Sequence, residues 1–287
     1  MVESVRLRLF LAGLWLLGAP LAAQAPKPVV TSAPPQGAGL MVTPTRLILD
    51  SRKRSAELSL FNAGADTATY RLGLVRVEMD EQGQFRELPL NQEPGRVHPQ
   101  DLIRFAPKEV TMGPREWQTV RVQVHKPADL PPGEYRVNLS FRVVPTPEAN
   151  DPDGPAPSGI AIRLTPIWGV TVPLIVRHGD TAAQVALEAP VLDPEAKTLT
   201  VRVTRTGNQS VYGDLRATFV PDSGPEQLVA TVQAVAVYPP NAGRIFKMPL
   251  GPGPWWGGQP GGRLVITYGP PAGESGAAFG QCQLAFK

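Results

Sequence analysis

Residues 160–177 constrain the fold of this chain more than any other stretch. Every even position is apolar: Ile160, Ile162, Leu164, Pro166, Trp168, Val170, Val172, Leu174 and Val176. The odd positions, Ala161, Arg163, Thr165, Ile167, Gly169, Thr171, Pro173 and Ile175, are mixed. Side chains that alternate with period two share one face of an extended strand. At ~3.3 Å per residue, one continuous strand over 160–176 runs roughly 55 Å, far longer than an ordinary strand. Pro166 and Pro173 donate nothing to a ladder and so favour a sheet edge. A long apolar edge invites aggregation unless something covers it. The expectation is therefore an edge covered by a strand of another protein. The competing readings are a hairpin arm packed internally, or two strands kinked at Gly169. Which face is offered stays open. It is the even face, with Ile162, Leu164, Trp168, Val170 and Val172, or the odd face with Ile167 and Ile175 if the even one belongs to the chain's own core.

The rest of the chain supports an all-β architecture. It holds 33 prolines and 28 glycines in 287 residues, which punctuate it with turns, and no window keeps a 3.6-residue apolar period. Strand patterns fall at 40–50, 55–62, 67–77, 102–105, 116–124 and 134–144. Pro44 marks an edge or a bulge in the first of these. In the last, Tyr135, Val137, Leu139, Phe141 and Val143 form one apolar face. Asn62-Ala63-Gly64, Met112-Gly113-Pro114 and Pro131-Pro132-Gly133 are turns. The polar stretch 78–100 shows no strand pattern, and 145–159 is a long polar loop rich in proline. His178-Gly179-Asp180 is a hinge. Beyond it, strand patterns fall at 184–187, 198–204, 215–220, 228–237, 244–250, 263–268 and 278–286. The expected fold is all-β: two immunoglobulin-like β-sandwich domains, 40–177 and 178–287, joined by a short hinge.

Residues 1–25 read as a cleavable export signal: Arg6 and Arg8 at the start, an apolar run over 9–17, and Ala23-Gln24-Ala25 as the cleavage pattern. The run is too short to span a bilayer. Residues 26–39, with four prolines, are expected to be a flexible lead-in. Without the leader the chain carries 26 cations and 24 anions, a balance that points to neither nucleic acid nor a membrane surface. Arg52-Lys53-Arg54 fits a solvated turn. Cys282 is the single cysteine, so no intramolecular disulfide forms, and its alternating surroundings place it in a buried terminal strand. His98, His125 and His178 lack metal-ligand spacing. There is no Gly-x-Ser-x-Gly elbow, and the glycine-rich run 251–258 lacks the Lys-Ser/Thr of a phosphate loop. The expectation is a protein that is not an enzyme and that has no cofactor and no metal.

Several segments carry a resemblance to a known family. In order they are Val42-Thr43-Pro44-Thr45-Arg46-Leu47-Ile48-Leu49, Leu58-Ser59-Leu60-Phe61-Asn62, Arg104-Phe105-Ala106-Pro107, Leu130-Pro131-Pro132-Gly133-Glu134-Tyr135-Arg136 and Val172-Pro173-Leu174-Ile175-Val176-Arg177. With the leader and the two sandwiches, they resemble the periplasmic pilus chaperones of the PapD-like family. The resemblance implies a periplasmic protein that binds pilus or fibre subunits by strand addition. It lends its seventh strand, here 160–176, so that alternate apolar side chains fill the groove of an incomplete subunit. It also implies an outer-membrane usher as a further partner. Two basic residues in the cleft between the domains then hold the subunit's C-terminal carboxylate. Arg46 falls on the first. The family's second, a lysine, is replaced here by Pro173, which leaves Arg163, Arg177 and Arg136 as substitutes. Two other readings compete: a structural or adhesive surface protein, and a carbohydrate-binding module using Trp255 and Trp256 as a stacking platform.

Overall fold

The computed structural model describes residues 30–32, 39–90, 97–145, 162–164, 168–188, 190–251 and 261–286. The expected leader, the loop beyond Pro145, Ile167, and both Trp255 and Trp256 lie outside them. The chain separates into two compact units, one of residues 1–34 and 148–165, the other of residues 35–147 and 166–287. Among the described residues there are twenty strands, numbered here in chain order, and no α-helix. In the smaller unit β1 (Val30–Ser32) pairs in parallel with β11 (Ile162–Leu164), Val30 lying opposite Ile162.

The larger unit holds two β-sandwiches. The first has a sheet ordered β2 (Leu40–Thr43), β4 (Ser55–Asn62), β9 (Trp117–Val124), β7 (Ile103–Ala106). Facing it is a sheet ordered β3 (Leu47–Leu49), β12 (Gly169–His178), β10 (Gly133–Val143), β5 (Ala68–Met79), β6 (Phe85–Leu88), with β8 (Glu109–Met112) also on β5. By chain order this is the immunoglobulin arrangement: β2, β4, β9 and β7 take the places of strands A, B, E and D on one sheet, and β5, β10 and β12 those of C, F and G on the other. Apolar alternation drives it. Leu58 and Leu60 of β4, Val120 and Val122 of β9, and Val137, Leu139 and Phe141 of β10 all point inward and are buried. The Tyr135 hydroxyl, at the start of β10, donates to the Pro131 carbonyl at 2.8 Å, a tyrosine corner that fixes the entry into that strand.

Two expectations are corrected here. The pattern at 40–50 is two strands, β2 and β3, on opposite sheets, because the chain bends over residues 44–46. Likewise 160–176 is not one strand: β11 and β12 are separate, in separate sheets and separate units. Along β12, Val172, Leu174 and Val176 are buried in the sandwich's own core, with Val170 packed partly against it. The reason is register. β12 pairs with β10 along its whole length, Val172 opposite Leu139 and Leu174 opposite Val137, so its even face has to close the same core.

The second sandwich pairs β13 (Ala183–Leu187), β15 (Thr198–Gly207), β14 (Val191–Asp193) and β18 (Gly243–Pro249) in one sheet. The other sheet runs β17 (Gln227–Val237), β16 (Val211–Pro221), β19 (Gly262–Gly269), β20 (Gly280–Phe286). Leu199, Val201, Leu215, Phe219, Met248 and Ile266 fill its core. Cys282 on β20 is half-buried against it, and burial pushes its thiol pKa up.

The sandwiches meet through a small apolar cluster: Met79 and Ile175 from the first, Ala236 and Tyr238 from the second. At one end of this contact the β5–β6 hairpin reaches across. Arg202 on β15 grips the Glu81 carboxylate with two hydrogen bonds, 3.0 and 2.7 Å, and the Ile245 N–H donates to the Glu81 carbonyl at 2.7 Å. Asn241 donates to the Met79 carbonyl. Gly83 sits under the Arg244 guanidinium at φ +82°, a conformation that favours glycine. The hairpin lies in 78–100, where the polar sequence showed no strand pattern.

Candidate functional site

β12 is an edge strand for only half its length. On one side it pairs with β10 throughout. On the other side, β3 covers only Leu174, Ile175 and Val176, in parallel, Leu47 opposite Leu174. Over residues 169–173 that side has no strand partner among the described residues. Five residues at ~3.3 Å give roughly 16 Å of open edge. Trp168, just before it, exposes 53 % of its surface.

The open edge ends at a cluster of arginines. Arg46 precedes β3 and so lies where the open edge gives way to the covered one. Its Nη2 donates to the Ser210 hydroxyl at 3.0 Å, and its guanidinium lies 4.6 Å from the Tyr212 ring centroid and 5.7 Å from that of Tyr238. Its Nε is buried without a hydrogen-bond partner. Arg177, two residues past Ile175 on the same outward face of β12, donates from Nε to Glu134 Oε2 at 3.1 Å. The two are direct cross-strand neighbours. Glu134 is the counter-charge of the cluster. Its side chain is 1 % exposed, and its Oε2 also accepts the Ser210 N–H at 3.1 Å and the Ser210 hydroxyl at 2.9 Å.

Arg136, the next outward residue of β10, donates from Nη2 to the Val77 carbonyl at 2.9 Å and stacks on Tyr238 at 4.2 Å. Its Nη1 is buried without a partner. Burial pushes the pKa of Arg46 and Arg136 down, against the opposing pull of Tyr238 and Glu134. An arginine remains charged through such a shift at neutral pH. Burial likewise pushes the Tyr238 hydroxyl up, against the two guanidiniums.

Three guanidiniums thus surround one buried carboxylate, and the site carries an excess of positive charge. The arginines do not share one opening. Arg46 and Arg177 line a pocket of about 770 Å³ with Gln184, Gln209 and Ser210. Arg136 instead faces a separate pocket of about 340 Å³ with Arg76, His98 and Glu134. Of the anchor residues expected from the sequence, Arg46 and Arg177 are brought together, while Arg136 opens elsewhere behind Tyr238. The side chains of Ile162, Arg163 and Leu164 on β11 lie outside the described residues. Sequence reasoning missed Glu134 as counter-charge, and Ser210 and Tyr238 as the second sandwich's contribution. The run Val237-Tyr238-Pro239-Pro240 held the only hint, an aromatic fixed ahead of two prolines.

Chemically the arrangement has the positive charge to hold an anion and unpaired backbone to pair with an extended chain. Among the described residues no group of three His, Cys, Asp or Glu is placed to hold a metal, and no helix is long and apolar enough to cross a membrane.

No protein-family model matches the chain. No curated protein matches it either. Solved structures with a similar layout include the YadV chaperone, 14 % identical over 86 % of this chain and 100 % of that one, TM-score 0.44. The class 5 fimbriae chaperone CfaA is 11 % identical over 86 % of this chain and 98 % of that one, TM-score 0.43. The Pseudomonas aeruginosa CupB2 chaperone is 13 % identical over 85 % of this chain and 98 % of that one, TM-score 0.40.

Proposed function

We propose that this chain is a periplasmic chaperone that holds the C-terminal segment of a strand-deficient secreted subunit by strand addition. The observation that carries the proposal is the open edge of β12 over residues 169–173, which ends at Arg46 and Arg177. An exposed strand edge offers unpaired N–H and C=O groups to an incoming chain. A guanidinium grips a carboxylate through two parallel hydrogen bonds, which fixes where that chain ends. The direction follows from the geometry. A chain whose carboxylate sits at Arg46 and whose body lies back along 173–169 runs parallel to β12, in line with β3.

The chaperone domains are 40–177 and 178–287, behind an export signal at 1–25 and a lead-in at 26–39, and the protein has no catalytic role. The lent apolar residues beside the open edge are Trp168 and Val170. Val172 is excluded from that set, since it is 1 % exposed in the chain's own core and lending it empties that core. Arg46 and Arg177 form the carboxylate anchor, with Arg136 supporting it through Tyr238. Pilus or fibre subunits and an outer-membrane usher are the partners.

The test is co-expression of the full chain in a periplasm with each small secreted β-protein encoded beside it. A one-to-one complex is expected, lost with Arg46→Ala while circular dichroism of the variant is unchanged. Full recovery of the complex with Arg46→Ala removes Arg46 from the mechanism.

A further inference from the structure

The pocket holding Arg46 and Arg177 is much larger than a carboxylate. A water molecule's share of volume is about 30 Å³, and a carboxylate displaces only one or two waters. The pocket measures about 770 Å³. Part of its wall is apolar, from Pro44 and Ile48 of the first sandwich and Val185, Val211, Tyr212 and Phe279 of the second, beside polar groups that include Glu274. Phe279 is 39 % exposed and packs nearly perpendicular to Tyr268, ring centroids 5.3 Å apart.

Resting on the carboxylate-anchor reading, the geometry points to a second specificity in this pocket: it takes an apolar side chain, aliphatic or aromatic, from the last residue of the bound chain. A terminal carboxyl carbon lies ~1.5 Å from its own Cα, so once the carboxylate is held, the nearest side chain able to fill the rest of the pocket is that of the same residue. The charges choose its class. Glu274 on the pocket wall disfavours an acidic side chain, and the two guanidiniums disfavour a basic one. Apolar pockets with a few convergent polar groups are the usual form of a site that recognises one end of a ligand. The second sandwich thereby reads the identity of the terminal residue, while the first supplies the edge for the residues before it.

The experiment uses the full chain and fluorescein-labelled octapeptides of alternating valine and threonine, ending in Leu, Phe, Ala or Asp as free acids, plus the Leu peptide as an amide. Fluorescence anisotropy is expected to show the Leu and Phe ends binding at least tenfold tighter than Ala, with Asp weaker than Ala. Phe279→Ala is expected to narrow the Leu-to-Ala ratio below threefold. Amidation reads the anchor separately and is expected to weaken the Leu peptide at least tenfold. Equal affinities for Leu, Ala and Asp ends, with amidation still harmful, overturn the side-chain inference and leave the anchor standing. Amidation without effect overturns the anchor reading and this inference with it. Binding of none of the peptides overturns both.

Discussion

Glu134→Ala tests whether the arginine cluster is held by one buried charge. The Glu134 side chain is 1 % exposed and its Arg177 partner 21 % exposed, so this is an enclosed ion pair. The same oxygen takes two hydrogen bonds from Ser210, which is itself buried. Removing one partner of a buried pair costs about 3–5 kcal/mol, because the other charge stays behind without compensation. An orphaned donor adds about 1–3 kcal/mol. These do not add in full here, since Arg177 keeps a 3.4 Å contact to the Ser210 carbonyl and reaches solvent in part. The expected loss is about 3–4 kcal/mol, a fall in melting temperature of roughly 10 °C for a chain of this size. Glu134→Gln keeps an acceptor oxygen and is expected to cost about 2 kcal/mol. Thermal unfolding by circular dichroism measures both. A loss below about 1 kcal/mol for Glu134→Ala, the range of exposed pairs, refutes the claim that the cluster depends on an enclosed carboxylate.

Other outcomes follow from the same geometry. Trp168→Asp is expected to leave folding intact and abolish subunit capture, whereas Val172→Asp puts a charge in the core and is expected to prevent folding; pull-down and soluble yield together separate the two. Glu81→Ala frees the β5–β6 hairpin from Arg202 on the far edge of the same sheet from Arg46, and is expected to weaken free-acid peptide binding several-fold with little change in melting temperature. Reversing both charges, Glu81→Arg with Arg202→Glu, is expected to restore it, and no recovery assigns the effect elsewhere. The N–H groups of Lys53 and Arg52 lower the Asp50 pKa, so its stabilising contribution is present above the ordinary value of 3.8 and lost as pH falls below it. Asp50→Asn is therefore expected to flatten the acid limb of stability in urea titrations between about pH 5 and pH 2.

The sandwich layers were legible because their strands are half-buried and so alternate. Leu58 and Leu60 of β4, and Val120, Val122 and Val124 of β9, sit inward as the period of two requires. The same logic failed where a strand is buried on both faces or on neither. Past Leu74, β5 buries Val75 and Met79 instead, and Met79 packs with Ile175 and the second sandwich. The short β6 carries no apolar face, its residues being exposed or nearly so, and left no pattern to read. In 160–176 the alternation was real, but periodicity does not say whose core a face fills; the pairing with β10 decides that for Val172. Arg46 and Arg177 were found through the resemblance. Glu134 lay inside a quoted segment, but its charge-balancing role depends on Ser210, distant in sequence. Nothing local in the sequence signals such a contact.

The most direct measurement is amide exchange and paramagnetic broadening on the full chain bound to a free-acid peptide. Parallel addition predicts protection of the 169–172 amides that face the open edge, seen with the free acid and not with the amide. It also predicts that a nitroxide at the peptide's N-terminus broadens signals near Gly169 and not near His178. Broadening near His178, or protection that ignores the terminal carboxylate, contradicts the account.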